Sequence, residues 1–347
     1  MESSPLVSVV VPLYNKEHTI SASLTSILKQ AYKKFEVVVV DDGSTDKGLS
    51  IVRSLLDTRI RSISQRNCGQ SAARNVGIRH SNGSLVVFLD ADDLWDEGHI
   101  ATLVRLSTKY PETGLVATAY RSIYRHGYAH ELKLSLGNGT DCSLQSSDYF
   151  RLASIAPFIW VSAVGVPAWV FTKLGQFLVG EHRGADREMW ARIALNYPVA
   201  YGSEVSATYN CEAPGRESNK ARNLQPPPAL ILLDKEITKL DTRVSEDSLR
   251  TYRNSLLFGY LGKLLIDADY KCIEETLKRT HPIGFLENYR YFCWRCVLFI
   301  PRQVSIIILR LGSSRYTGLL RKLAYQRGGV LISRVYPKEK ENNKNWD

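Results

Sequence analysis

The sequence predicts an α/β fold in which a mostly parallel β-sheet carries helices on both faces. Short runs of β-branched residues alternate with segments whose apolar residues recur at helical spacing. This alternation gives the order β-α-β-α-β-α-β-α over about the first 110 residues, and each apolar run ends in a polar turn. Buried strands separated by amphipathic helices are typical of a sheet that is covered on both faces.

The elements follow from this pattern in chain order. Strands are predicted at residues 8–12, 35–40, 60–64 and 84–89, and helices at 17–31, 49–56, 71–80 and around 100–106. Ser44 is the predicted N-cap of the second helix, because a serine hydroxyl can accept a hydrogen bond from the first helical turn. A chain of 347 residues with 44% apolar content can bury a core of this size.

Three carboxylates occur within four residues directly after the fourth strand, at Asp90, Asp92 and Asp93. Like charges this close repel one another, so some must be protonated, solvated or neutralised by a cation. The carboxyl ends of parallel strands share one edge of the sheet, where Pro12–Asn15 and Asp41 are expected to meet this cluster. The pattern therefore predicts a divalent metal site, and the alternative is a helix N-cap cluster on a solvated turn.

Four motifs in the first hundred residues share an order and spacing. They are VVVPLYN at 9–15, VVDDGSTD at 39–46, NCGQSAARN at 67–75 and DADD at 90–93. Together they resemble the family 2 glycosyltransferases of the GT-A fold, and the likeness covers roughly residues 6–215. The resemblance implies an inverting transfer of a sugar from a nucleoside diphosphate, most simply a UDP-sugar, to a hydroxyl of a glycan acceptor.

The resemblance also assigns roles around the donor. In that family the first motif and the aspartate equivalent to Asp41 hold the base and ribose, while the D-x-D carboxylates hold Mg²⁺ or Mn²⁺ on the diphosphate. Asp92, helped by Asp90, is then the metal ligand, and this hard cation meets the charge that develops on the leaving group. The predicted donor-binding residues are Pro12, Tyr14, Asn15, Asp41, Arg74, Asp90 and Ala91.

Simpler structural roles remain open for two of these residues. Asp41 could form an Asx turn or cap beside Ser44. Arg74, on the predicted third helix, could add a fixed positive charge to the donor site, but helical arginines are usually solvated or ion-paired.

The family usually carries a Glu-Asp pair before a tryptophan-containing helix. The matching stretch here is GADREMWARIA at 184–194, where Asp186 aligns with the general base and Ala185 replaces the usual glutamate. Asp186 could instead be a helix cap, which suits the helix dipole. Glu188 and Glu181 are the reserve candidates for the base, and Trp190 is either a core residue or a platform under the acceptor sugar.

The C-terminal section differs in charge from the rest of a chain whose net charge is +10. Residues 288–334 contain nine basic side chains and no acidic one, interleaved with large apolar residues. This composition is typical of interfacial helices and predicts docking on an anionic membrane. Solvated packing on the catalytic domain is the alternative, and nucleic acid is disfavoured because no recognition motif accompanies the basic residues.

The predicted domains follow from these signals. A GT-A catalytic domain spans 1–224, with a nucleotide-sugar half at about 6–110 and an acceptor half at about 111–224. A helical, basic, membrane-associating region spans 225–337, after the boundary at residues 226–228, and a disordered tail spans 338–347. The apolar stretches at 155–171 and 292–311 are not expected to cross a membrane, because prolines, a glycine or arginines interrupt them.

The predicted protein is a cytoplasmic glycosyltransferase, peripherally bound to the inner face of the cell membrane, with a lipid-linked intermediate of envelope polysaccharide synthesis as the acceptor implied by the resemblance. The alternatives are a nucleotide-sugar binding protein that has lost catalysis, which the missing glutamate keeps open, and a sugar nucleotidyltransferase. The nucleotidyltransferase would need a glycine-rich phosphate loop after the first strand, and a dehydrogenase would need G-x-G-x-x-G there. Six scattered cysteines, including C-x-x-C at 293–296, indicate neither disulfides nor a zinc site.

Overall fold

The computed structural model of the chain describes residues 4–124, 129–134, 140–181, 183–214, 225–239, 244–266, 274 and 330–335. The strands are β1 (Val7–Leu13), β2 (Phe35–Asp41), β3 (Ile60–Ser64), β4 (Leu85–Phe88), β5 (Leu94–Trp95), β6 (Leu115–Ile123), β7 (Ala129–Leu134), β8 (Asp141–Leu144), β9 (Val164–Pro167), β10 (Val199–Asn210) and β11 (Val330–Val335). The helices are α1 (Ile20–Leu28), α2 (Gly48–Ser54), α3 (Gln70–Arg79), α4 (His99–Lys109), α5 (Ser146–Ile155), α6 (Ala168–Leu174), α7 (Ala185–Asn196), α8 (Pro228–Ile237) and α9 (Glu246–Ile266).

The first half of the sheet is parallel, as the sequence predicts. Its strands lie in the order β3-β2-β1-β4, and β1 pairs in parallel with both β2 and β4. All seven residues of β1 are buried, because helices cover both faces of the central strand. The α/β class with helices on both faces is confirmed, and this half places the ends of β1, β2 and β4 side by side.

The second half of the sheet is mixed. β9 pairs antiparallel with β4 and β6, β7 pairs antiparallel with β6, and β10 runs parallel to β6 but antiparallel to β5 and β8. The short antiparallel strands after β4 carry no regular apolar alternation, and the sequence pattern did not predict them. The parallel arrangement is therefore a property of the first half, and the whole sheet is mixed.

The second helix begins within one residue of the predicted range, but the N-cap prediction for Ser44 is wrong. α2 starts at Gly48, and the Ser44 hydroxyl accepts instead from the backbone N–H of Asn15 at 3.1 Å. The Asp46 carboxylate accepts from the backbone N–H of Gly48 at 2.8 Å. A nearer acidic side chain has therefore taken over the turn that leads into the helix, because a carboxylate accepts more strongly than a hydroxyl.

The two helices after the triple proline pack on the second half of the sheet. Pro228 is the first residue of α8, where its missing N–H costs nothing. Leu233 of α8 and Leu249 and Tyr252 of α9 belong to the same apolar cluster as Trp190 of α7. The domain boundary at this point stays a prediction, but the described part of the chain beyond it shares the core of the acceptor half.

Little of the basic stretch at residues 288–334 is described. No helix within the described ranges is long and apolar enough to cross a membrane. Residues 155–171 form the end of α5, a 3-10 turn at Val161–Ala163, β9 and part of α6. Residues 288–329 and the C-x-x-C motif lie outside the described residues, and Val330–Val335 is a strand that pairs with β7, where helix was expected.

Candidate active site

The ends of β1, β2 and β4 bring the first, second and fourth motifs together. Leu13 at the end of β1 lies opposite Asp41 at the end of β2, and Val10 lies opposite Phe88 at the end of β4. Pro12 is buried in β1 beyond this last pair with β4, so its missing N–H leaves no gap in that ladder. The predicted donor residues therefore share one edge of the sheet.

Asn15 orders two neighbouring loops. Its φ of 50° is in the left-handed region, which asparagine tolerates better than other side chains with a Cβ. Its amide oxygen accepts from the backbone N–H of Thr45 at 2.8 Å, so the loop after β1 is tied to the loop after β2. Tyr14, just before it, is 36% exposed and is available at the surface of the site.

The two aspartates after β2 do different work. Asp41 is buried, and its Oδ1 accepts from the backbone N–H of Ser44 at 3.0 Å, which is the local turn that the sequence left open as an alternative. Asp42 accepts from the backbone N–H groups of Cys68 and Gly69, both at 2.9 Å. Asp42 therefore fixes the loop that leads into α3, and one oxygen of Asp41 is left for a further partner.

Arg74 reaches the D-x-D motif from α3. Its Nη2 donates to Asp90 Oδ1 at 2.7 Å, and Gln70 Nε2 donates to the same oxygen at 2.9 Å. α3 lies close against β1, because a Cβ on Gly77 would sit 2.3 Å from Cγ1 of Val10. The arginine is ion-paired rather than solvated, and its buried Nε has no hydrogen-bond partner among the residues described.

The three carboxylates after β4 point to different partners. Asp92 Oδ2 accepts from Lys16 Nζ at 2.6 Å, at the rim of the site. Asp93 is fully buried, and its Oδ2 accepts from Trp160 Nε1 at 2.8 Å and from Ser162 Oγ at 2.6 Å. Asp93 therefore anchors the turn in the protein interior, whereas Asp90 and Asp92 remain beside the sheet edge.

The electrostatics of the cluster reflect this division. Burial raises the pKa of Asp90, Arg74 opposes that rise, and the charges of Asp92 and Asp186 add to it. Burial, followed by the charges of Asp90 and Asp92, raises the pKa of Asp93 to about 8. Burial and mutual repulsion of the carboxylates thus favour the protonated form of Asp93 and Asp90, and Arg74 counters this at Asp90.

The carboxylates fit a divalent cation only as a partial site. No cluster of three or more His, Cys, Asp or Glu side chains suited to a metal occurs in the described part of the chain. Asp90 and Asp92 each present a second carboxylate oxygen beside the one held by Arg74 or Lys16. Two carboxylates are nevertheless the protein share that Mg²⁺ takes when phosphate oxygens and water complete its shell.

α7 carries the predicted base beside the carboxylate cluster. Asp186 lies in the first turn of α7, is partly exposed, and is close enough for its charge to raise the pKa of Asp90. Glu188 instead faces the other way and forms an ion pair with Arg192, with Nε to Oε1 at 2.8 Å. The geometry favours Asp186 over the reserve candidate Glu188, and Trp190 is 1% exposed, which makes it a core residue.

Asn75 connects α3 to the loop that precedes α7. Its Nδ2 donates to the carbonyl oxygen of Phe177 at 2.8 Å, and its Oδ1 accepts from the N–H of Phe177 at 3.0 Å. The Phe177 ring packs edge-on against Trp190 and lies beneath the Arg74 guanidinium, 5.6 Å from its centroid. The donor side and the helix that carries Asp186 are therefore held in one network.

Sequence reasoning missed several residues of this site. Gln70 and Asn75 lie within the third motif and Lys16 directly follows the first, but the spacing of a motif does not say which side chain turns towards the carboxylates. Asp93 was grouped with its neighbours, although a third carboxylate within four residues after a buried strand was a signal that one of them turns inward.

The sequence model of the family described as Glycosyl transferase family 2 matches residues 8–154. The UDP-Glc:alpha-D-GlcNAc-diphosphoundecaprenol beta-1,3-glucosyltransferase WfgD of Escherichia coli is 43% identical over 91 residues, which are 26% of this chain and 36% of WfgD. The chain therefore spans well under half of that relative.

Solved structures support the fold over nearly the whole chain. TarS 1–349 of S. aureus, in complex with UDP-GlcNAc, has a TM-score of 0.63 at 17% identity and covers 95% of this chain and 97% of its own. Mannosyltransferase PcManGT from Pyrobaculum calidifontis, in complex with GDP-Man and Mn²⁺, has a TM-score of 0.55 at 20% identity and covers 93% and 88%. At these identities the likeness is one of fold.

Proposed function

We propose that the chain, whose residues 8–154 match the family model described as Glycosyl transferase family 2, transfers a sugar from a nucleoside diphosphate donor to a hydroxyl of a glycan acceptor. UDP is the proposed nucleotide, since WfgD uses a UDP-sugar and TarS binds one. The four motifs and the family match support the family, and the single observation that carries the activity is the meeting of Asp41, Asp90, Asp92 and Asp186 at one sheet edge.

The proposed reaction is a displacement with inversion at the anomeric carbon. The acceptor hydroxyl attacks this carbon, Asp186 takes its proton, and the bond to the diphosphate oxygen breaks with its electron pair left on that oxygen. Arg74 holds Asp90 in place at 2.7 Å and brings positive charge to the side of the leaving group. Asp41 is proposed to accept from the base, with Pro12, Tyr14 and Asn15 shaping the base and ribose pocket.

Asp92 and Asp90 are the residues proposed to hold Mg²⁺ or Mn²⁺. The presence of Mn²⁺ with GDP-Man in PcManGT supports this proposal. When bound, such a cation supplies charge neutralisation of the diphosphate. The second carboxylate oxygens of Asp90 and Asp92 would hold the cation, whereas Asp93 would take no part because it is buried against Trp160 and Ser162.

The proposed acceptor is a lipid-linked glycan at the inner face of the cell membrane. WfgD acts on a diphosphoundecaprenol-linked sugar, and the nine basic residues between 288 and 334 would suit an anionic lipid surface. Peripheral association would bring the candidate active site around Asp186 close to a substrate that cannot leave the bilayer.

The test is a screen of nucleotide-sugars by thermal shift with Mn²⁺ present, followed by a turnover assay. A donor that binds the native state raises the unfolding temperature, and the stabilisation grows with the logarithm of its concentration over Kd. The expected result is a rise in the unfolding temperature with a UDP-sugar. The donor should be hydrolysed slowly on its own and consumed faster, by transfer, when a lipid-linked acceptor is added.

The second candidate is a nucleotide-sugar binding protein without catalysis, favoured by Ala185 in place of the usual glutamate. It would show the thermal shift but no hydrolysis or transfer. A complete lack of response to any nucleotide-sugar would contradict both candidates.

A further inference from the structure

Lys16 lies between solvent and the carboxylate of Asp92, the proposed metal ligand. Its Nζ donates to Asp92 Oδ2 at 2.6 Å and to the carbonyl oxygen of Pro214 at 3.2 Å. The side chains of Lys16 and Asp92 are 13% and 14% exposed, so the pair is partly shielded from water. A buried or half-buried ammonium at this distance is a strong counter-ion for the carboxylate.

Asp90 and Asp92 have counter-ions of unequal mobility. Arg74 is 5% exposed, and its guanidinium is fixed between Asp90 and the Phe177 ring. Lys16 has a flexible four-carbon stem with three rotatable donors, so its ammonium can reorient more readily than the planar guanidinium of Arg74. A cation that approaches the two carboxylates would displace the lysine in preference to the arginine.

A divalent ion and the ammonium compete for the same carboxylate. The repulsion between Lys16 and a cation on Asp92 would weaken metal binding while the ammonium stays at 2.6 Å from Oδ2. The anionic diphosphate of a donor changes this balance, because it offers the displaced ammonium a new acceptor in the same place. Metal and nucleotide would then bind together more tightly than either alone.

We propose that Lys16 is a positioning residue that serves as the resident counter-ion of Asp92, yields this carboxylate to a divalent cation, and then donates to the diphosphate of the donor. The proposal rests on the proposed function. In this proposal, Lys16 is the residue that makes the binding of the metal and the binding of the nucleotide favour each other.

The test measures Mn²⁺ and UDP binding on the full-length protein. Free Mn²⁺ is followed by electron paramagnetic resonance without nucleotide, and UDP is titrated by calorimetry at saturating Mn²⁺. Lys16→Met and Lys16→Gln are expected to bind Mn²⁺ alone about 10-fold more tightly, since the competing charge is gone. Both are expected to bind UDP with Mn²⁺ at least 10-fold more weakly, and Lys16→Arg is expected to stay near wild type in both titrations.

Lys29→Met is the matched control, because it removes the same charge from the exposed end of α1. It is expected to leave both affinities unchanged. Unchanged or weaker Mn²⁺ binding by both neutral variants, in a wild-type protein that binds UDP with Mn²⁺, would overturn the role of Lys16. A wild-type protein that binds neither Mn²⁺ nor UDP would instead contradict the proposed function.

Discussion

Identical residues in one motif acquire different roles from their surroundings. Asp93 is buried among donors and has a pKa raised to about 8 by burial, whereas Asp92 stays at the rim beside Lys16. The sequence predicted that this cluster follows a strand and carries charge chemistry. It could not predict which carboxylate turns inward, because that depends on Trp160 and Ser162, which approach from almost seventy residues later in the chain.

Asp92→Asn is expected to abolish the part of UDP affinity that depends on Mn²⁺. The amide keeps the shape of the side chain but removes the anion that a hard cation requires. Calorimetric titration of UDP with and without Mn²⁺ measures the effect. Asp96→Asn is the control, because Asp96 lies four residues further on and pairs with Arg121 at the surface, so metal-enhanced affinity should survive there. Metal enhancement that persists in Asp92→Asn would refute the assignment.

At the scale of elements, the predictable part is the set that carries regular apolar spacing. β1 to β4 and α1 to α4 were predicted within a few residues, since their periodicity marks buried faces. The strands β5 to β9 were not predicted, because they carry no regular apolar alternation and several of the pairs are distant in sequence, such as β5 with β10 and β4 with β9. The contacts that fix the loops, such as Asn75 with Phe177, follow from the tertiary arrangement and not from local propensity.

Asn75→Ala tests the connection between α3 and the loop before α7. The change leaves the N–H and C=O of Phe177 buried without partners, which costs roughly 1–3 kcal/mol for each group. We expect a drop of at least about 2 kcal/mol in the free energy of unfolding by urea. Asn196→Ala is the control, since Asn196 is exposed at the end of α7, and it should be nearly neutral. If Asn75→Ala unfolds at the same urea concentration as wild type, the two hydrogen bonds between Asn75 and Phe177 contribute little to stability.

His99 gives the packing of α4 against β10 a pH dependence. Burial lowers its pKa to about 3, and its Nδ1 lies 2.8 Å from Ser206 Oγ. The unfolded chain binds a proton below the ordinary pKa of 6.5, and the native state does not. Stability should therefore fall as the pH drops below about 6.5, by up to about 1.4 kcal/mol for each pH unit.

His99→Phe should remove this slope between pH 7.5 and 5.5, although its absolute stability will differ. Urea unfolding at several pH values provides the measurement. His18→Gln is the control, because the side chain of His18 is 75% exposed and its replacement should leave the slope unchanged. An identical slope in wild type and His99→Phe would contradict the role of His99.

For the whole molecule, the α/β GT-A fold predicted from four motifs is confirmed by the TM-score of 0.63 to TarS, and the predicted family agrees with the family model that matches residues 8–154. The domain boundary at residue 224 stays a prediction, although α8 and α9 share the apolar cluster of the acceptor half. Composition could suggest a membrane surface for residues 288–334 but could not define its structure, because basic and apolar residues are compatible with several packings.

Binding to anionic vesicles is expected for the full-length protein and should weaken as salt rises. Each basic residue near the surface contributes about 1 kcal/mol, which salt screens, whereas inserted apolar side chains are not screened. Flotation with anionic and neutral vesicles at low and high salt measures both parts. Replacement of Arg295, Arg302 and Arg310 by Gln should reduce flotation. A wild-type protein that does not float with anionic vesicles at low salt would contradict the proposed membrane association.

The role of Asp186 in an inverting transfer is tested most directly by a transfer assay in which NMR identifies the anomeric configuration of the product. Wild type, supplied with the UDP-sugar that binds and a lipid-linked acceptor, should form a product inverted relative to the donor. Asp186→Asn should bind UDP as wild type does while transfer falls roughly 10²-fold or more, the usual contribution of a general base. A retained anomeric configuration, or full turnover by Asp186→Asn, would contradict the assignment of Asp186 as the base of an inverting glycosyl transfer.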